Sequence, residues 1–208
     1  MSKTINPLKL VSPKPYDEGF TLKQAIALRH SSREFSPQPL SLRHLSELMW
    51  AMYGVNRPKD NPHPGRTVPS AMAFYPLSIY VMTEEAVYLY EPIEHKLLPV
   101  AEGDHRSTDG TQSFVAQAPV DIAIFANAAM MHGSDCELNN TIRDNIIRMA
   151  SLDAGAVAQN AYLYCAANSI NIVERMAVDV HKLTRLLNVS DESQFIVALS
   201  IGYPPEES

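Results

Sequence analysis

Asn139–Asn168, NNTIRDNIIRMASLDAGAVAQNAYLYCAAN, is the stretch whose reading decides the fold. It contains no proline, and its apolar positions Ile142, Ile146, Met149, Leu152, Val157, Ala161 and Leu163 stand among many alanines, so it predicts the longest helix of the chain. A helix that is apolar around most of its surface is a buried one. The remaining elements are therefore expected around this helix. Immediately upstream, Val120–Ala128 (VDIAIFANA) is nearly all apolar, as a strand covered on both faces would be.

Further upstream, SIYVMT (Ser78–Thr83), AVYLYEP (Ala86–Pro92) and HKLLPV (His95–Val100) are short β-branched and aromatic runs separated by tight turns, the signature of a hairpin or meander. Downstream, Ile170–Val173 reads as a short strand, Val180–Val189 as a short helix, and Gln194–Pro204 as a last strand stopped by Gly202 and Pro204. Near the start, Thr21 offers an N-cap to a helix ending around Arg29 to Ser32, and Ser41 caps a second helix whose Leu42, Leu45, Leu48, Met49 and Met52 repeat at helical spacing until Gly54. Residues 1–20, with Pro7, Pro13 and Pro15, predict an extended arm that gains order by packing on something else, for which a partner chain is one candidate. RPKDNPHPG (Arg57–Gly65) predicts a mobile loop. Strands among helices without strict βαβ alternation predict an α+β fold, a mixed sheet against a long central helix, in one domain spanning residues 1–208.

Composition narrows the function. With 17 Lys and Arg against 23 Asp and Glu the formal net charge is −6, which lacks the basic excess that nucleic acid would require. No run approaches the roughly 20 apolar residues of a membrane span, so a soluble, cytoplasmic chain is expected. Cys136 and Cys165 are isolated and form no CxxC pair, and His44, His63, His95, His105, His132 and His181 lack ligand spacing, so no metal site is expected. Neither GxGxxG nor the phosphate-loop pattern occurs, so a bound phosphate would have to be held another way.

Three segments carry possible chemistry. In ALRHSSREF (27–35), Arg29 and Arg33 flank Ser31 and Ser32 at a helix end. Two guanidiniums and two hydroxyls in one small volume suit a phosphate; the other reading is a solvated helix end opposing the helix dipole. In GRTVPSAMAFYPL (65–77), small residues after Pro69 allow close backbone approach to a ligand, whereas the competing reading is a loop that plugs the core with Phe74. In Asp153–Asp179, Gln159 and Asn160 lie inside an apolar helix, where amides normally satisfy neighbouring backbone.

Taken in order and spacing, these segments resemble the FMN-dependent nitroreductase family from about Thr21 to Pro204. The resemblance is carried by Arg29-His30-Ser31 with Arg33 and Phe35, and by Arg66-Thr67-Val68-Pro69-Ser70-Ala71 leading into Tyr75-Pro76-Leu77. It continues through Asp153-Ala154-Gly155, Gln159-Asn160 and Leu163, the 172–179 turn, and Ser200-Ile201-Gly202-Tyr203-Pro204. RTVPSA and AVYLYEPIEHKLLPV are most similar to the SagB-type branch, which includes oxidases that aromatise peptide azolines.

The resemblance implies that Arg29, His30 and Ser31 grip the FMN phosphate and that Arg33 lies by the pyrimidine edge, where a cation would stabilise negative charge on the reduced ring. It also implies that Pro69, Ser70, Ala71, Met72 and Ala73 reach the flavin from the second subunit of a homodimer. Glu174, Arg175, Met176 and Ala177 match the turn over one flavin face, with the Met176 backbone N–H bonding N5. No side-chain acid or base dedicated to substrate is evident. Three features depart from the family pattern: the chain ends PPEES where members often carry basic residues, so phosphate binding leans on Arg29 with Arg66 as a further candidate; Ala73 stands where many have Asn; and Ala177 stands near positions often Gly.

The implied activity is ping-pong hydride transfer from NAD(P)H through FMN to a quinone, nitroaromatic or similar conjugated acceptor. The alternatives are a SagB-type oxidase or dehydrogenase of an azoline or other organic substrate, and a flavin-binding scaffold without turnover.

Overall fold

The computed structural model describes residues 5–13, 20–58, 64–110, 112–127, 140–190 and 192–206. Among the described residues there are four α-helices: α1 (Leu22–Leu28), α2 (Leu42–Tyr53), α3 (Asn140–Ala167) and α4 (Val180–Leu187). The strands among the described residues are β1 (Leu8–Lys9), β2 (Val55–Arg57), β3 (Gly65–Arg66), β4 (Leu77–Met82), β5 (Ala86–Glu91), β6 (Lys96–Glu102), β7 (Val120–Asn127), β8 (Asn171–Arg175) and β9 (Ser193–Gly202).

Local sequence explains the helix ends. The Thr21 side chain accepts from the Gln24 N–H while the Gln24 side chain accepts from the Thr21 N–H, a capping box that stabilises a short helix by roughly 1 kcal/mol. Ser41 caps α2 by accepting from the His44 N–H at 3.1 Å. Gly54 ends α2 because nothing larger fits: a Cβ there would meet Trp50 Cδ1 at 2.3 Å.

Seven strands form one sheet in the order β1-β6-β5-β4-β7-β9-β8, and β2 pairs with β3 in a separate hairpin. The α+β class is as the sequence predicts. The sheet is not mixed, however: every one of its pairings is antiparallel. Strand β7 lies between β4 and β9 and is buried on both faces, as its unbroken apolar run predicts. Alternation along the strands separates two cores. Ile79, Val81, Ile122, Ile124, Val197 and Leu199 face α2 and α3 in the larger one. Tyr80, Met82, Ala123 and Phe125 face Leu183 and Leu187 of α4 in the smaller one, where each fully buried leucine contributes about 1.5 to 3 kcal/mol.

The described part of the N-terminal arm packs on its own chain. Leu8 pairs with Leu97 at the sheet edge, the Leu10 N–H donates to the His95 carbonyl at 3.2 Å, and the Val11 N–H donates to Ser46 Oγ at 2.9 Å. Helix α3 is buried along one side only, since Leu152 is 74% exposed. The centre of the expected Arg57–Gly65 loop, the remainder of the arm, Cys136, His63 and His132 lie outside the described residues.

Candidate active site

The backbone after α1 is laid along the sheet edge. The Ser32 N–H donates to the Ile172 carbonyl at 2.9 Å and the Ser36 N–H to the Tyr203 carbonyl at 2.8 Å, while Asn171 Nδ2 donates to the Glu34 carbonyl at 2.7 Å. These bonds bring the first segment beside the end of β8. Tyr162, on α3, ties the two together: its hydroxyl lies 2.9 Å from Ser31 Oγ and accepts the Glu174 backbone N–H at 2.8 Å. The Arg29 guanidinium lies over the Tyr162 ring, 5.4 Å from its centroid, and that of Arg33 over Phe114 at 5.9 Å. His30 Nδ1 is 2.9 Å from the Leu28 carbonyl. Arg29 and Arg33 are exposed and, among the described residues, neither forms an ion pair. Two solvent-facing guanidiniums without a carboxylate partner, with a hydroxyl between them, are a donor set that fits a phosphate and an electron-rich ring edge.

The third segment divides in two. Glu174 and Arg175 continue β8, and the chain leaves the sheet only at Met176. Arg175 is 5% exposed. Its Nε donates to Ser200 Oγ at 3.0 Å and its Nη2 to Asp121 Oδ1 at 3.1 Å. The side chain therefore reaches across β9 to β7, anchoring the strand end from which Met176 emerges. Met176 itself is 72% exposed.

The second segment stands apart. Arg66 is held between aromatic rings, 4.3 Å from the centroid of Tyr53 and 4.9 Å from that of Tyr75, rather than joining Arg29. Tyr75, not Phe74, fills the core; its N–H donates to Ser70 Oγ at 2.9 Å. Between them the backbone is left-handed at Met72 (φ 52°), Ala73 (φ 55°) and Tyr75 (φ 51°), a conformation that costs on the order of 1 kcal/mol or more for each non-glycine residue. Beneath this turn lies Asp153 of α3. Burial pushes its carboxyl above the usual carboxylate range, against the opposing influence of the neighbouring Ser70 side chain and Ala71 backbone. Asp153 and Tyr162 are nine positions apart on one helix, about 14 Å at 1.5 Å per residue. Within a single chain, the first and third segments thus meet at Tyr162, while the second lies further down α3.

Asn160 satisfies backbone as expected, donating to the Ala51 carbonyl at 2.9 Å; Gln159 is exposed. Tyr162 is the residue that sequence reasoning passed over. The available signal was a hydroxyl-bearing ring in a run of alanines, which reads equally well as core. The cavity of about 290 Å³ under Leu8, Leu40, Leu45, Tyr88 and Val120 is lined by none of the three segments.

Comparison with known proteins gives a consistent result. A family model described as the nitroreductase family matches residues 26–203. A Methanocaldococcus jannaschii protein that carries a nitroreductase name is 30% identical over 187 residues, covering 85% of this chain and 89% of that one. A crystal structure from Ralstonia eutropha JMP134, also named as a nitroreductase, superimposes with a TM-score of 0.84 at 33% identity, covering 97% of this chain and 90% of that one. A Desulfovibrio desulfuricans structure described as a nitroreductase in complex with FMN shares the fold, with a TM-score of 0.58 at 17% identity over 94% of this chain and 89% of that one.

Proposed function

Because the chain belongs to the nitroreductase family, whose members are flavin oxidoreductases that typically bind FMN, we propose that it is an FMN-dependent oxidoreductase. In this reading it passes hydride from NAD(P)H to a conjugated acceptor such as a quinone or nitroaromatic. The observation that supports this best is the Tyr162 junction, which sets Arg29 and Ser31 beside the strand end leading to Met176.

Arg29 and Ser31 would hold the phosphate, with His30 beside them, and Arg33 would lie at the pyrimidine edge, where its cation stabilises negative charge. The Met176 backbone N–H would face N5. FMN, when bound, supplies the centre that accepts and returns the hydride. The chain's own contribution is to bind, to orient and to keep the ring face in register through the Arg175–Asp121 anchor.

Homodimerisation is part of the proposal. The distance between Asp153 and Tyr162 along α3 keeps Pro69–Ala73 away from the Arg29 cluster of the same chain, and a second copy would supply that segment. The exposed apolar side chains Leu22, Ile26 and Leu152 on α1 and α3 suit such a contact. Reconstitution with FMN followed by sedimentation tests both points. The proposal expects about one FMN per chain on a dimer; a monomer that binds FMN fully would remove the interface from it.

A further inference from the structure

We infer that Phe114 is a positioning residue whose ring holds the Arg33 guanidinium at the place where the pyrimidine edge of the flavin would lie. The inference rests on the flavin reading above and deepens it, because it adds to the site a turn, Phe114–Ala118, that none of the three sequence segments contains. Arg33 is exposed, and among the described residues no carboxylate pairs with its guanidinium. An unanchored arginine samples many rotamers, and gathering it at one place costs entropy. The ring of Phe114 supplies the anchor: the guanidinium carbon lies 5.9 Å from its centroid, inside the reach of about 6 Å over which a cation is drawn to an aromatic face. A ring suits this position better than a carboxylate. It holds the side chain while leaving the charge unneutralised and the N–H edge available to donate, whereas an acidic partner would cancel the field that stabilises a reduced flavin.

The platform is itself fixed. Phe114 packs on Phe35, with ring centroids 6.4 Å apart, in one cluster with Ala118 and with Val173 of β8, the residue before Glu174. The Phe114 carbonyl accepts the Gln117 N–H at 3.0 Å and the Ala118 N–H at 3.2 Å, closing a tight turn. That turn is tied at its far end as well. Arg106 grips Asp104 through Nε and Nη2, at 2.9 and 2.6 Å, and its Nη1 donates to the Ala118 carbonyl at 3.3 Å. Gly110 packs so closely that a Cβ there would stand 2.7 Å from Val115 Cγ2 and 3.1 Å from Arg175 Nη1. The ring under Arg33 is thus set against the same strand, and beside the same buried arginine, that lead to Met176.

The test measures the two-electron potential of bound FMN by equilibration with a reference dye, and the affinity for oxidised FMN by fluorescence quenching. The proteins are wild type, Phe114→Leu, Phe114→Tyr, Arg33→Ala and the double variant Phe114→Leu/Arg33→Ala. The potential reports the ratio of the affinities for reduced and oxidised FMN, tenfold for each shift of about 30 mV. Leucine keeps an apolar side chain on Phe35 and removes the ring, so the entropy of fixing Arg33 falls on the step that creates the negative charge. Phe114→Leu is expected to lower the ratio about two- to fivefold, the strength of a cation–π contact at an exposed site, which lowers the potential by about 10 to 20 mV. Phe114→Tyr keeps the aromatic face and the wild-type potential. Arg33→Ala lowers the ratio at least as far, and adding Phe114→Leu to it lowers the ratio no further, an outcome that a purely structural role for the ring would not produce. Wild-type protein that takes up no FMN overturns the flavin reading and this inference with it. With FMN bound, a Phe114→Leu ratio within about 1.5-fold of wild type, or one that falls as far in the Arg33→Ala background, overturns this inference alone. An Arg33→Ala potential equal to that of wild type overturns it together with the place given to Arg33. Should Phe114→Leu fail to fold, Phe114→Met decides by the same criterion.

Discussion

The Tyr162 hydroxyl accepts the Glu174 backbone N–H at 2.8 Å, and through that one bond helix α3 sets the level of strand β8 against the segment that carries Arg29 and Ser31. Ser31, 131 positions from Tyr162 in sequence, and Glu174, 12 positions from it, are thereby fixed to one ring. Tyr162→Phe keeps the ring under Arg29 and removes only the hydroxyl. It leaves the Glu174 N–H without its acceptor, which costs about 1 to 3 kcal/mol when the group stays dry. The expected outcome is a lower denaturant midpoint with unchanged slope, together with weaker FMN binding. A variant that matches wild type in both would show that the bond does not organise the site.

Arg29 is proposed to recognise the phosphate and not the ring. Arg29→Ala should therefore lower affinity for FMN by about tenfold to a hundredfold, the range for a lost charge-assisted contact, and leave affinity for riboflavin nearly unchanged. Comparing the two ligands in one titration series isolates the phosphate from general damage. Equal losses for both would assign Arg29 to ring packing through Tyr162 instead.

Arg175 and Asp121 form a buried pair in the sheet. Removing one partner strands the other charge, so Arg175→Met is expected to destabilise by about 3 to 5 kcal/mol, whereas Arg175→Met with Asp121→Leu should recover much of that loss. Chemical denaturation of the two variants measures it. If the double variant is as unstable as the single one, the Ser200 contact outweighs the ion pair.

His95 gives a pH dependence of definite sign. Burial holds its imidazole below the ordinary 6.5, against the opposing hydrogen bond with the Val11 carbonyl. Its ring also meets the Tyr90 hydroxyl at 2.8 Å. The folded state therefore binds the proton more weakly than the unfolded chain. The contribution is fully present above 6.5 and is lost as pH falls below it toward the lower folded value. Because the Leu10 N–H is bonded to the His95 carbonyl, the protection of the Leu10 amide, its exchange rate taken relative to the intrinsic rate at the same pH, should fall on acidification in wild type and much less in His95→Gln. Asp153 works in the opposite direction, since its raised carboxyl favours the protonated fold as pH drops. Asp153→Asn should accordingly be more stable than wild type at neutral pH, with the gap closing in acid.

Much of this molecule can be read from local sequence because local chemistry sets it. Thr21 with Gln24, Ser41 and Gly54 fix the ends of α1 and α2, and the apolar run at Val120–Asn127 does become an inner strand buried on both faces. What escaped depends on partners distant in sequence. Strand direction follows from how connections cross the sheet, which composition does not record. Tyr75 takes the core place expected of Phe74 because a left-handed backbone turns its ring inward. Glu174 and Arg175 are read as part of a turn from the family resemblance, yet Asp121, on the strand two positions away, makes the Arg175 charge tolerable inside the sheet. Tyr162 was invisible for the same reason, since a tyrosine in an alanine-rich helix declares itself only once Ser31 and Glu174 are seen around it.

The most direct test of the central proposal is an anaerobic absorbance spectrum of FMN-loaded protein before and after addition of NADH and then NADPH, followed by a quinone. The account predicts that the oxidised-flavin band bleaches with at least one nicotinamide donor and returns on addition of the acceptor. A band that neither donor bleaches would contradict hydride transfer from NAD(P)H and favour a flavoprotein that oxidises an organic substrate.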